Sequence, residues 1–139
     1  MKRLIIYSVM LLTALVFSSA PLLAQEAPKI NKKNLVIKEW NTDVKSGTKF
    51  LDHVTTYSPE GLKLEEIEYN SSGQKWRERY EYGENGKVAK TMIYDGRNRL
   101  VSIKKYEYNA YGRKKVTYTY DAKGRLTMTK NYEYLMQDE

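Results

Sequence analysis

The sequence contains no cysteine and a single histidine, His53. The first absence removes disulfides, thiolate zinc sites, iron–sulfur ligation and lipid attachment at a lipobox cysteine together. The second means that a metal site would rest on carboxylates alone, and no metal or cofactor is expected. It also leaves one candidate base for a nucleophilic triad, while Ser and Thr fall mainly in turns and on polar strand positions. No glycine-rich phosphate loop or dinucleotide fingerprint occurs, and Asp95-Gly96 lacks the further acidic positions that a calcium loop needs. Glycosidases use paired carboxylates in a concave pocket. Here Glu81, Glu107 and Glu133 recur at one repeat position, which points to a structural place with cross-strand Lys or Arg partners. The chain reads as a non-enzyme.

The chain begins with Lys2 and Arg3, then an apolar core Leu4–Phe17, then the small, turn-prone segment Ser18–Ala24. This is the order of a secretory signal peptide. The core falls short of the about 20 apolar residues that span a bilayer. Ala20 and Ala27 each precede a proline, so cleavage is expected between Ala24 and Gln25. Export places the protein in a bacterial periplasm or outside the cell, with no stable membrane insertion after cleavage. Removing Lys2 and Arg3 leaves 22 basic residues against 17 acidic ones, a net +5. The charge reads as interleaved rather than gathered on one stripe, so nucleic acid is not an expected partner.

What the sequence has in abundance is tyrosine, 13 in all. Tyr-Glu-Tyr stands at Tyr80–Tyr82, Tyr106–Tyr108 and Tyr132–Tyr134, 26 residues apart each time. Tyrosine-ended runs are followed by Ser58-Pro-Glu-Gly61, Asn70-Ser-Ser-Gly73, Gly83-Glu-Asn-Gly86, Asp95-Gly-Arg-Asn98, Asn109-Ala-Tyr-Gly112 and Asp121-Ala-Lys-Gly124. Asp, Asn or Ser at a first turn position bonds the backbone two residues on. Gly or Asn at the fourth tolerates positive φ. Such turns at 12–14 residue spacing predict an all-β antiparallel meander of about seven or eight strands, forming one twisted sheet or half-barrel.

Counting alternate positions straight through the turns puts the rings on one side. Trp76, Tyr80 and Tyr82 share a face with Val88, Met92, Tyr94, Leu100, Tyr106, Tyr108, Val116, Tyr118, Tyr120, Leu126, Met128, Tyr132 and Tyr134. The other side is then mostly charged. Leu62–Tyr69 breaks phase, which predicts a bulge near Glu65-Glu66. The organisation expected is a signal peptide at 1–24, a flexible leader at 25–33, an N-terminal capping hairpin at 34–56, the tyrosine-rich β-repeat at 57–134 and a tail at 135–139. The hairpin is placed at Asn34–Trp40 and Lys49–Tyr57.

Tyr118-Thr-Tyr-Asp-Ala-Lys-Gly-Arg-Leu126 resembles the tyrosine–aspartate repeat of rearrangement-hotspot (Rhs) and teneurin-type proteins. Asp121, Gly124, Arg125 and Leu126 match that unit, and Tyr94-Asp95 with Asn98-Arg99-Leu100 is a partial copy. Gly83 and Asn109 replace the aspartate elsewhere. The chain is also similar to small exported proteins of Bacteroidota with the same tyrosine-and-turn cadence. The resemblance implies antiparallel strands and no particular activity.

Two roles follow. One is a structural or protein-interaction module of the bacterial envelope, its aromatic face covered by curling of the sheet or by a second copy in a homodimer. The other is a carbohydrate-binding module, in which Trp40, Trp76, Tyr80, Tyr106, Tyr118 and Tyr132 stack on sugars of an envelope glycan. Tyr111, third in its turn, is expected to be exposed in either case. Intact mass of the exported protein is expected to start at Gln25; a chain retaining Met1 would refute the cleavage assignment.

Overall fold

In the computed structural model, residues 29–137 are described; the signal peptide assigned to 1–24, residues 25–28 of the leader and residues 138–139 of the tail lie outside them. Eight strands follow in order: β1 (Val36–Thr42), β2 (Lys49–Tyr57), β3 (Lys63–Asn70), β4 (Gly73–Tyr82), β5 (Val88–Asp95), β6 (Leu100–Tyr108), β7 (Lys114–Asp121) and β8 (Leu126–Asn131). Each pairs antiparallel with the next, giving one sheet in sequence order. β1 and β8 have a neighbour on one side only, so the sheet is open. The expected meander is the fold.

The turns form as their side chains dictate. Asp121 Oδ1 accepts from the Lys123 and Arg125 amides at 2.9 Å each, while its Oδ2 takes the Arg125 Nε at 2.7 Å. Asp95 does the same for Arg97 and Arg99. These bonds, the Arg99 or Arg125 backbone donor first, hold both carboxyls below the ordinary aspartate range. Here the Gly-Arg that follows Tyr-Asp in the repeat gains a physical role: the arginine reaches back to fasten its own turn. Gly124 has φ of 80° and Asn98 has 58°, the left-handed geometry expected at the fourth position.

After most turns the returning strand carries one residue too many. Tyr82 pairs with Val88 but Glu81 pairs with Lys90, leaving Ala89 unpaired. The same happens at Leu64, Lys75, Val101, Lys115 and Thr127, and at Asp52 within the first hairpin. The bulge expected near Glu65-Glu66 thus falls at Leu64. β1 starts at Val36 instead of Asn34 because Asn34 adopts φ of 54° and donates its amide to the Ser58 carbonyl at 2.9 Å. The capping hairpin is continuous with the sheet, since β2 pairs with β3.

These bulges correct the reading of one aromatic face. Paired residues lie on the same side of an antiparallel sheet. Tyr80 pairs with Thr91, and Arg79 with Met92. Val88 therefore shares a face with Tyr82, but Met92 and Tyr94, beyond the bulge at Ala89, lie opposite. Face I carries Trp76, Tyr80, Tyr82, Tyr106, Tyr108 and Tyr132; face II carries Ile67, Tyr69, Met92, Tyr94, Ile103, Val116, Tyr118 and Tyr120. The tyrosine pairs change sides from strand to strand, and two strands make one 26-residue period. Face II is not the predominantly charged side that was expected.

Among the described residues no second layer covers either face, and no large side chain is fully buried. The most buried positions are small: Thr91 at 2%, Thr55 and Ser58 at 5%, Thr117 at 7% and Val116 at 8% exposure. Thr91 and Thr117 sit low between large rings, hydrogen-bonded by the Tyr106 hydroxyl at 3.1 Å and paired with Tyr132 at 3.3 Å.

The β5–β6 turn also packs on its neighbour. Gln74 Nε2 donates to the Asp95 carbonyl at 3.0 Å and to Asn98 Oδ1 at 2.9 Å. A Cβ on Gly96 would stand 2.5 Å from the Gln74 carbonyl oxygen. Gly96→Ala is therefore expected to cost about 1–3 kcal/mol in urea unfolding. An unchanged midpoint would show that this contact does not constrain the turn.

Candidate interaction surface

The residues proposed for sugar stacking do not form one platform. Trp76, Tyr80, Tyr106 and Tyr132 lie on face I. Tyr118 pairs with Lys105 on face II, and its hydroxyl donates to Glu107 at 3.0 Å. Trp40 stands on edge strand β1, half exposed, also on the face II side. Tyr111 is 90% exposed at its turn, as expected.

Cations lie over many of the rings. Lys49 is 5.0 Å from the Trp40 ring centre, Lys114 4.4 Å from Tyr106 and Lys130 5.3 Å from Tyr132. Arg77 lies 4.4 Å over Tyr94 on the other face. Each such contact is worth about 0.5–1 kcal/mol at an exposed site. These contacts occupy the ring surfaces that a sugar would stack on.

On face I, β2–β4 form a closed polar network. The Tyr80 hydroxyl donates to Glu66 and, at 2.9 Å, to Glu78, its cross-strand neighbour's pair. Lys63 Nζ donates to Glu66 at 2.6 Å. Trp76 Nε1 donates to Glu68, which also receives Lys75 Nζ at 2.5 Å. His53 Nε2 stands 3.7 Å from Glu66, and its ring meets Trp76 edge-on at 6.2 Å. Burial works to raise the Glu66 carboxyl, but the bonds from Lys63 and Tyr80 outweigh it and hold it below the usual range. Burial, then donation to Glu66 and Glu78, pushes the Tyr80 hydroxyl far above the ordinary tyrosine range. Its proton is committed to the carboxylates, so Tyr80 is a structural donor here.

The repeated carboxylates differ among themselves. Glu81 has its cross-strand Lys90 at 2.6 Å, as the spacing predicts. Glu107 is held by a tyrosine instead. No group of three His, Asp or Glu suited to a metal occurs among the described residues. Two shallow depressions, of about 320 and 590 Å³, are lined by Gly83, Ala89 and Tyr108 and by Tyr111, Arg113 and Met136 respectively. Neither includes His53.

Charge is not evenly interleaved. Residues 29–86 carry 10 basic and 10 acidic side chains, whereas residues 87–137 carry 12 basic against 4 acidic. Two of those four, Asp95 and Asp121, are bridged by Arg99 and Arg125 in their own turns. On face I this leaves Lys104, Lys114 and Lys130 on β6, β7 and β8 with no carboxylate within bridging distance among the described residues. They surround Tyr132, whose hydroxyl is held below its ordinary range first by the bond with Thr117, then by the charges of Lys130, Lys114 and Lys104. Alternate counting already puts these lysines on one side; sequence reasoning missed them because only the structure shows Asp95 and Asp121 bridged within their own turns.

No family model matches the chain, and no curated protein does. Among solved structures, the GtfA/B complex bound to UDP and GlcNAc is similar at 16% identity and a TM-score of 0.31, over 81% of this chain and 22% of that one. TarM is similar at 16% identity and a TM-score of 0.32, over 72% of this chain and 22% of that one. The chain spans about a fifth of the length of these proteins, and likeness at this level bears on neither fold nor function.

The network around Glu66 makes stability depend on acid. A carboxyl lowered on folding stabilises fully above its unfolded value, near 4.5, and loses that contribution as pH falls. Glu66→Gln is expected to lose stability at neutral pH and to flatten the decline between about pH 6 and 3. A variant whose melting temperature falls with acid as steeply as the parent would disprove the assignment.

Proposed function

We propose that the chain is an exported, non-catalytic β-repeat module that acts by binding a partner at the bacterial cell envelope. The observation that carries this reading is the single-layer sheet, which offers two broad, side-chain-rich faces among the described residues. Repeated elements laid side by side characteristically supply extended binding surfaces. The signal-peptide pattern of Lys2–Ala24 supports export, and the Asp-x-x-Gly-Arg turn chemistry supports kinship with tyrosine–aspartate repeats. The alternative, a carbohydrate module that stacks sugars on tyrosine and tryptophan, is weakened by the cations over Trp40, Tyr106 and Tyr132.

Expressed from Met1 in a bacterial host, the chain is expected in the periplasm or medium. Cross-linking on intact cells is expected to yield adducts heavier than the chain itself. Recovery of the uncut chain in the cytosol alone would overturn the proposal.

A further inference from the structure

The basic half of face I is built differently from the acidic half. Glu66 and Glu68 on β3 are occupied by Lys63, Tyr80, Lys75 and Trp76, so few charges there remain free for a partner. Lys104, Lys114 and Lys130 have no such partners among the described residues. Lys114 and Lys130 are exposed and Lys104 is half-buried. Neighbouring strands lie roughly 4.8 Å apart, and Lys104, Lys130 and Lys114 stand on the successive rungs of Thr119, Thr117 and Tyr108, so the three form a triangle across β6–β8. Beside Lys104 lies Thr119, its cross-strand pair, whose hydroxyl has no side-chain partner among the described residues.

We propose that face I across β6–β8 binds a linear anionic polysaccharide, its acid groups on Lys104, Lys114 and Lys130 and its hydroxyls on Thr119. The inference rests on the interaction role above and names its partner's chemistry. The ammoniums over Tyr106 and Tyr132 serve charge recognition while denying those ring faces to stacked bases, the usual platform for single-stranded nucleic acid. Of the exposed apolar side chains of β8, Leu126 pairs with Tyr120 on face II and Met128 alone lies on face I, too little to seat the face in a bilayer. A second copy would have to place carboxylates on this triangle, and those of β3 are already engaged.

The test is fluorescence anisotropy with labelled polygalacturonate, against neutral dextran, an oligonucleotide and phosphatidylglycerol vesicles. The protein is expected to bind polygalacturonate, to ignore dextran, and to release the polymer as salt screens the charges. Lys104→Gln, Lys114→Gln and Lys130→Gln together are expected to weaken binding on the order of ten-fold or more. The charge-matched control Lys29→Gln, Lys38→Gln and Lys45→Gln should change it less than about two-fold. Lys130→Gln alone, on the edge strand, keeps the test open if the triple variant does not fold. Equal loss in both triple variants, tighter binding of oligonucleotide or vesicles, or a dimer that the face I variant dissociates would overturn the proposal. Cytosolic retention would sink the envelope role and leave this binding intact; failed polymer binding would leave export standing.

Discussion

Six of the seven hairpins in this sheet spend one unpaired residue just after their turn, and the arrangement of side chains depends on that expenditure. A strand alternates its side chains with a period of two, so a single extra residue exchanges its two faces. At Ala89 the exchange sends Met92 and Tyr94 away from Tyr80 and Tyr82. At Lys115 it sends Tyr118 and Tyr120 away from Tyr106 and Tyr108. Rings appear on both sides of one layer, and neither side becomes an ordinary hydrophobic core.

How a single layer holds together follows from this. Burial is shallow, so the weight falls on ladder hydrogen bonds, ring–cation contacts and tyrosine hydroxyls that reach over the neighbouring strand. Tyr82, Tyr108 and Tyr134 donate to the carbonyls of Lys63, Val88 and Lys114 at 2.9, 2.7 and 2.7 Å, three copies of one long-range tie. Each net bond contributes about 0.5–1.5 kcal/mol. Tyrosine suits this task because it combines a large apolar body with a polar tip. The small threonines at Thr91 and Thr117 leave room for the rings that lean over them.

Much of the fold was legible in the sequence. The turn tetrads located every strand junction from Ser58 onward, and Gly or Asn at their ends took the expected left-handed geometry at Gly61, Gly86, Asn98, Gly112 and Gly124. What was not legible was the side on which each ring lands, because the residue that decides it carries no mark of its own. Ala89, Val101, Lys115 and Thr127 share no chemistry beyond their position after a turn. The lysine group on face I was hidden for another reason. Lys104, Lys114 and Lys130 look interleaved with acids along the chain and separate only when Asp95 and Asp121 are seen fastened to their own arginines.

The alternation of the bulged strands sets a rule for how such a protein can grow. A single added strand with its turn would leave every later ring on the wrong side, stranding the hydroxyl ties that Tyr82, Tyr108 and Tyr134 make. Two added strands restore the original sides. Length in this architecture therefore comes in even steps, so the protein can gain or lose surface only by whole 26-residue units.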